Sequence, residues 1–165
     1  MADQAISLSK YDKNWPRMFQ DEKLRLAPLL CPWIEGDIEH VGSTAVVGMV
    51  ANPIIDIMVG VQSLMASKEA IKVLTQHGYC YYPYKADVMH WFCKPTPECR
   101  THHLHLVPFN SALWQERISF RNKLRASPDL RAEYCALKLA LAREYRNDRE
   151  QYTQQKWPFI KRVLA

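Results

Sequence analysis

No stretch of the chain approaches the roughly 20 consecutive apolar residues that a membrane span requires. The opening segment MADQAISLSKYDKNWP has no basic stretch followed by an apolar run, so no secretion signal is expected and a cytoplasmic protein is. The five cysteines, Cys31, Cys80, Cys93, Cys99 and Cys135, form no C-x-x-C pair and are odd in number. That argues for reduced, packed thiols and against a disulfide framework. Internal repeats, low-complexity tracts and linkers are missing as well, so the 165 residues read as one domain, 1–165. With 48% apolar and 24% charged residues, composition excludes wholesale disorder.

What is present begins with an uneven charge. Residues 1–110 carry 10 Lys/Arg against 11 Asp/Glu, and residues 111–165 carry 12 against 6, so the net +5 comes entirely from the last third. A basic segment of this size attracts phosphate-rich partners, or is simply the solvated face of surface helices.

The pattern predicts an α+β fold: a helix first, a mixed-sheet core over about 36–110 with helices on one side, and a C-terminal helical segment over 111–165. Asn14 is the expected cap of the first helix, with Pro16 at its second position and a stripe of Trp15, Met18, Phe19, Leu26 and Leu30. DIEHVG, NPIIDIMVGV, YCYYPY, VMHWFC and THHLHLVPF read as strands, with a helix from Ser67 to His77 stopped by Gly78. Short connections favour antiparallel pairing among the middle strands. Helices follow over 111–125, 128–146 and 148–163, the second capped at Ser127-Pro128 and the third at Asn147-x-x-Glu150, with Pro158 expected to kink or end it.

Three features carry chemistry. Gly42-Ser43-Thr44 closes a strand; glycine lets the backbone approach a ligand, and hydroxyl and N–H groups bind phosphate. The plain alternative is an ordinary cap. Asp56 is a lone carboxylate in an apolar strand, where Ile55, Ile57, Val59 and Val61 point to one face and Ile54, Asp56, Met58 and Gly60 to the other. The second face reads as the less tightly covered one, and Asp56 as a metal ligand or as a structural acid paired with a base. In RTHHLHLVPF, His103 and His105 share one face about 6.6–7 Å apart along the strand, close enough to reach one ion. His40 would join them if its strand is adjacent, while His77 and His90 have no such context. Two further readings are a zinc site from Cys93, Cys99 and His102, and base stacking by YCYYPY...HWF; loose spacing weakens the first and core packing competes with the second.

The segment IEHVGSTAVVGMVANPIIDIMVGV, with YDKNWPRMFQDEK before it and RTHHLHLV and EYCALKLALAREYRNDREQYTQQKWPFI after it, resembles the GrpB family over nearly the whole chain. The resemblance implies a nucleotidyltransferase superfamily fold of the DNA polymerase β type, a domain sometimes fused to dephospho-CoA kinase. In that superfamily a Gly-Ser turn precedes a strand carrying Asp-x-Asp or Asp-x-Glu, with a third carboxylate on a neighbouring strand. Gly42, Ser43 and Asp56 match; Met58 stands where the second carboxylate belongs, His103 and His105 where the third does, and Val47 where the family usually has proline. Two Mg²⁺ ions about 3.5–4 Å apart share carboxylates in such sites; one Asp with two His suits a single softer ion, Mn²⁺ or Zn²⁺.

The expectation is metal-dependent transfer of a nucleoside monophosphate from a nucleoside triphosphate to a small-molecule acceptor. Gly42, Ser43 and Thr44 would hold phosphates, Asp56, His103, His105 and His40 a divalent ion (Mg, Mn or Zn), and Arg100, Lys138 and Lys156 would offset triphosphate charge. The alternative is a non-catalytic nucleotide-, phosphate- or metal-binding module with an incomplete carboxylate set. Nucleic-acid binding through the basic tail is a third reading, and no membrane partner is expected.

Overall fold

The computed structural model describes residues 5–165. Helix α1 spans Trp15–Leu30, strand β1 Ile34–Val41, strand β2 Ile55–Val61, helix α2 Ala70–Thr75, and strands β3, β4 and β5 Cys80–Tyr82, His90–Pro95 and Arg100–Pro108. Three helices follow: α3 Ala112–Ala126, α4 Pro128–Glu144 and α5 Arg149–Leu164. The strands form one mixed sheet in the order β1-β2-β5-β4-β3. All neighbours are antiparallel except β2 and β5, which run parallel and pair Asp56 with His103 and Met58 with His105. Among the described residues no helix is long and apolar enough to cross a membrane.

Strand alternation sorts the core. Ile55, Ile57, Val59 and Val61 of β2, with Leu104 and Leu106 of β5, pack against Phe19, Leu26 and Leu30 of α1 and Leu74 of α2. The opposite face carries Val41, Met58, Trp91, Cys93 and Val107 under Trp114 of α3. Met58 is fully buried there, so this face is covered more tightly than its mixed composition predicts. A third cluster joins Val46 and Met49, from the loop after β1, to Leu124, Tyr134, Phe159 and Val163 of the C-terminal helices. Tyr134 and Phe159 stack there at 4.9 Å. This cluster brings α4 and α5 to the 42–50 loop.

Several local expectations change. Asn14 makes no side-chain cap bond; its N–H instead bonds Asp12 at 2.8 Å. The regular part of α2 is shorter than Ser67–His77, because Ser67 ends a turn in which its hydroxyl bonds the Ser63 carbonyl. The Ser127 cap forms, its oxygen accepting from the N–H of Leu130 at 3.2 Å. For α5 the capping oxygen belongs to Asp148, which accepts from the Gln151 N–H at 3.1 Å, and not to Asn147. Pro158 lies inside α5 without ending it. Phe159 and Val163, buried on the far side of the proline, hold the last turn in place; Pro28 in α1 is tolerated between fully buried Leu26 and Leu30 in the same way.

Candidate functional site

The parallel register of β2 and β5 sets the centre. It puts Asp56, His103 and His105 on one face, where Oδ1 of Asp56 lies 3.2 Å from Nδ1 of His103 and 3.5 Å from Nε2 of His105. One ligand atom from each of the three falls within 4.8 Å of the others, and no other His, Cys, Asp or Glu group among the described residues does so. Nδ1 of His105 rests 3.5 Å from the Met89 sulfur. Nε2 of His103 is buried with no hydrogen-bond partner.

Electrostatics favour a charged Asp56 beside a neutral His105 imidazole. Burial pushes the Asp56 pKa up, but hydrogen bonds from His103 and His105 outweigh it and hold the carboxyl well below its usual range. Burial, reinforced by the charge of Arg117, pulls His105 down to about 4 despite Asp56. Arg117, from α3, is itself lowered by burial and pulled back by Asp56. Sequence reasoning missed it. The available signal was a charge on the buried stripe of α3, one turn after Trp114 and one before Arg121.

The Gly42 turn sits directly on Asp56. Gly42 has φ +73°, and a Cβ there would stand 2.5 Å from Oδ2 of Asp56, so only glycine fits. The hydroxyl of Ser43 accepts from Nζ of Lys138 at 2.7 Å. Lys138 is 2% exposed, also bonds the Val50 carbonyl, and lies 4.9 Å over the Tyr134 ring. Burial, with the charge of Lys156, lowers it to about 7. Lys138 therefore bolts α4 to the turn. Lys156 covers the Tyr152 ring at 4.4 Å; burial lowers it to about 8 and the Asp56 carboxylate pulls it back up.

The remaining expected residues are placed differently. His40 pairs with Ile57 across the sheet and so points to the opposite face, where it stacks on Phe19 at 4.8 Å and meets the Thr44 hydroxyl at 2.9 Å. It is no partner of the Asp56 cluster. Thr44 is buried and donates to the Ile54 carbonyl, which makes it a brace of the loop and not a phosphate ligand. Arg100 is buried against Trp91, 5.5 Å from the ring centre, with Nε donating to the Pro97 carbonyl. Cys93, Cys99 and His102 do not converge: Cys93 shares the face of its partner His103, Cys99 is exposed, and His102 turns to the other face beside Glu22. Tyr79 and Tyr81 pack on Phe92 as core, not as a stacking platform. In the basic tail, Arg117, Arg121 and Lys138 face the sheet or the 42–50 loop and not solvent.

The mixed sheet with its flanking helices is similar to the nucleotidyltransferase fold. The solved structure of Cid1 in complex with its short product ApU matches 86% of this chain and 42% of its own at a TM-score of 0.52, with 15% identity. The crystal structure of conserved protein GrpB from Enterococcus faecalis matches 95% of this chain and 94% of its own, with TM-score 0.84 and 29% identity. The family model for GrpB protein matches residues 5–165. The "Glutamate-rich protein GrpB" of Alkalihalophilus pseudofirmus is 38% identical over 164 residues, 96% of this chain and 94% of the relative. The chain belongs to the GrpB family.

Proposed function

We propose that this protein binds a nucleoside triphosphate over Asp56 and transfers its nucleoside monophosphate to the hydroxyl of a small molecule. The observation that carries this reading is a single ionised carboxylate, in a nucleotidyltransferase-like fold, ringed by His103, His105, Arg117 and Lys156 beside the Gly42–Ser43 turn. Such a centre favours an anionic ligand whose charge the lysine and arginine offset. In the transfer the acceptor oxygen bonds the α-phosphorus, the bond from that phosphorus to the bridging oxygen breaks, pyrophosphate leaves, and the hydroxyl proton passes to water.

The two-Mg²⁺ arrangement implied by the superfamily does not fit. Met58 occupies the second carboxylate's position, fully buried among Trp91, Val107 and Trp114, and no step is derived through such a pair. A single borderline ion does fit the donors: Asp56 oxygen with the imidazole nitrogens of His103 and His105, the set that suits Mn²⁺ or Zn²⁺. Bound there, it would add positive charge beside the phosphates.

The test is calorimetric titration with nucleoside triphosphates in the presence of Mg²⁺, Mn²⁺ or Zn²⁺, together with pyrophosphate release. Binding that Asp56→Ala weakens at least tenfold, with turnover in the wild type, is expected. No binding at millimolar nucleotide, or equal binding by Asp56→Ala, overturns the reading. Elemental analysis of the purified protein reports the ion directly.

The buried Met58 favours a second reading, a nucleotide- or phosphate-binding module without transfer chemistry. Here the wild type binds but releases no pyrophosphate, and Met58→Asp creates Mg²⁺-dependent release, provided that circular dichroism shows the variant folded. Turnover by the wild type excludes it.

A further inference from the structure

A cavity of about 650 Å³ opens beside the free edge of β1, between α1, the 45–47 loop and the junction of α3 with α4. Its volume falls within the roughly 300–1,000 Å³ of small-molecule sites. It is separate from the Asp56 centre, whose residues do not line it. Both acids in its wall already have partners: Glu39 takes Nη1 of Arg121 at 2.7 Å, and Asp37 takes Nζ of Lys23 at 3.2 Å.

Two more cations line the cavity, Arg125 and Arg131, and neither has a carboxylate partner among the described residues. Nε of Arg125 donates to the Ala45 carbonyl at 2.9 Å. Nη1 of Arg131 donates to the carbonyls of Leu124 at 2.9 Å and of Arg125 at 2.8 Å. These main-chain tethers orient both guanidinium groups without neutralising either, and they leave both terminal nitrogens of Arg125, and Nε and Nη2 of Arg131, as donors. The wall near them is apolar: Phe19 and Val46 lie buried beneath, and Val47 at the lip is 71% exposed.

Two oriented guanidinium groups with no carboxylate in bonding contact, beside exposed Val47, match a ligand with a doubly charged head and an apolar body. We propose that this cavity is a second ligand site, which takes a phosphate monoester of a small aromatic or apolar molecule. The phosphate bridges Arg125 and Arg131, and the body covers Val47 and Phe19. Phosphate fits the arginine pair better than a single carboxylate does, because it offers oxygens to both forks at once.

The test follows the Arg Nε–H and the 45–47 amide resonances of the full chain by NMR during titration with phenyl phosphate, inorganic phosphate and benzoate. Saturable shifts at Arg125, Arg131 and Val47 are expected with phenyl phosphate, at least tenfold tighter than with inorganic phosphate or benzoate. The variant R125Q/R131Q should weaken this binding at least tenfold, and Asp56→Asn should leave it unchanged. Val47→Glu, at an exposed position that does not threaten folding, should abolish it by repulsion and decides the matter if the double variant fails to fold. Absence of saturation up to about 10 mM, where binding free energy is below that of ordinary ligands, overturns the proposal. So does equal affinity for inorganic phosphate, or full binding by Val47→Glu.

Discussion

Replacing Gly42 with alanine probes the closest contact in the site. Gly42 sits at φ +73°, ψ −173°, a region open almost only to glycine, and a side chain held there costs about 1–3 kcal/mol. The added Cβ would also stand 2.5 Å from Oδ2 and 3.2 Å from Cγ of Asp56, so the carboxylate must move. Asp56 cannot move freely, because His103 holds Oδ1 at 3.2 Å; losing that charge-assisted bond adds about 1.5–3 kcal/mol. The expected total is about 2.5–6 kcal/mol. Gly48→Ala supplies the control: Gly48 also has positive φ, +82°, but no atom lies within 4 Å of its Cβ position. Only the backbone cost of about 1–2 kcal/mol should appear there. Urea unfolding followed by circular dichroism gives both stabilities, and Mn²⁺ or Zn²⁺ titration reports whether the Asp56 cluster survives. If Gly42→Ala costs no more than Gly48→Ala, the close packing of turn on carboxylate is refuted.

Lys138→Ala should cost about 2–4 kcal/mol in urea unfolding, through the cavity left under Tyr134 and the unpaired Val50 carbonyl. Glu22→Gln should cost about 3–5 kcal/mol, because Lys94, which bonds both Glu22 oxygens at 2.7 Å, is left as a buried charge; an unchanged urea midpoint would contradict this. For pH, burial lowers His40 to about 4 from an unfolded value of 6.5, so between these values the unfolded chain holds a proton that the folded chain lacks. Stability should therefore be full above about pH 6.5 and fall as pH drops through 4, with His40 contributing roughly 2–3 kcal/mol of the loss. His40→Gln should flatten that part of a stability-against-pH curve.

Much of the architecture could be read in the pattern of residues. The alternation of β2 separated Asp56 from Ile55 and Ile57, and the His-x-His spacing put His103 and His105 on one face, because strand periodicity is a local property. Which strand would lie beside β2 is not local: the crossover that sets β5 parallel to β2 is fixed only when the sheet closes. The same limit misplaced His40, whose register with Ile57 turns it away from Asp56. Charges on buried helix faces were legible but passed over. Glu22 interrupts the stripe between Phe19 and Leu26, and it is held by Lys94 and by the Tyr79 hydroxyl at 2.8 Å. Lys138 looked like a phosphate contact, since its composition context was a basic tail; its partner, Ser43, is 95 residues away in the chain.

That separation bears on how the chain is made. Among the described residues every strand lies before Ser111, so the sheet and its Asp56–His103–His105 cluster can form while the C-terminal helices are still being synthesised. The Ser43 turn gains its lysine only when α4 emerges, and Lys156 arrives only with α5. The acidic centre thus precedes Arg117, Lys138 and Lys156 during synthesis, and the positive charge around it is completed only when the last helix has been made.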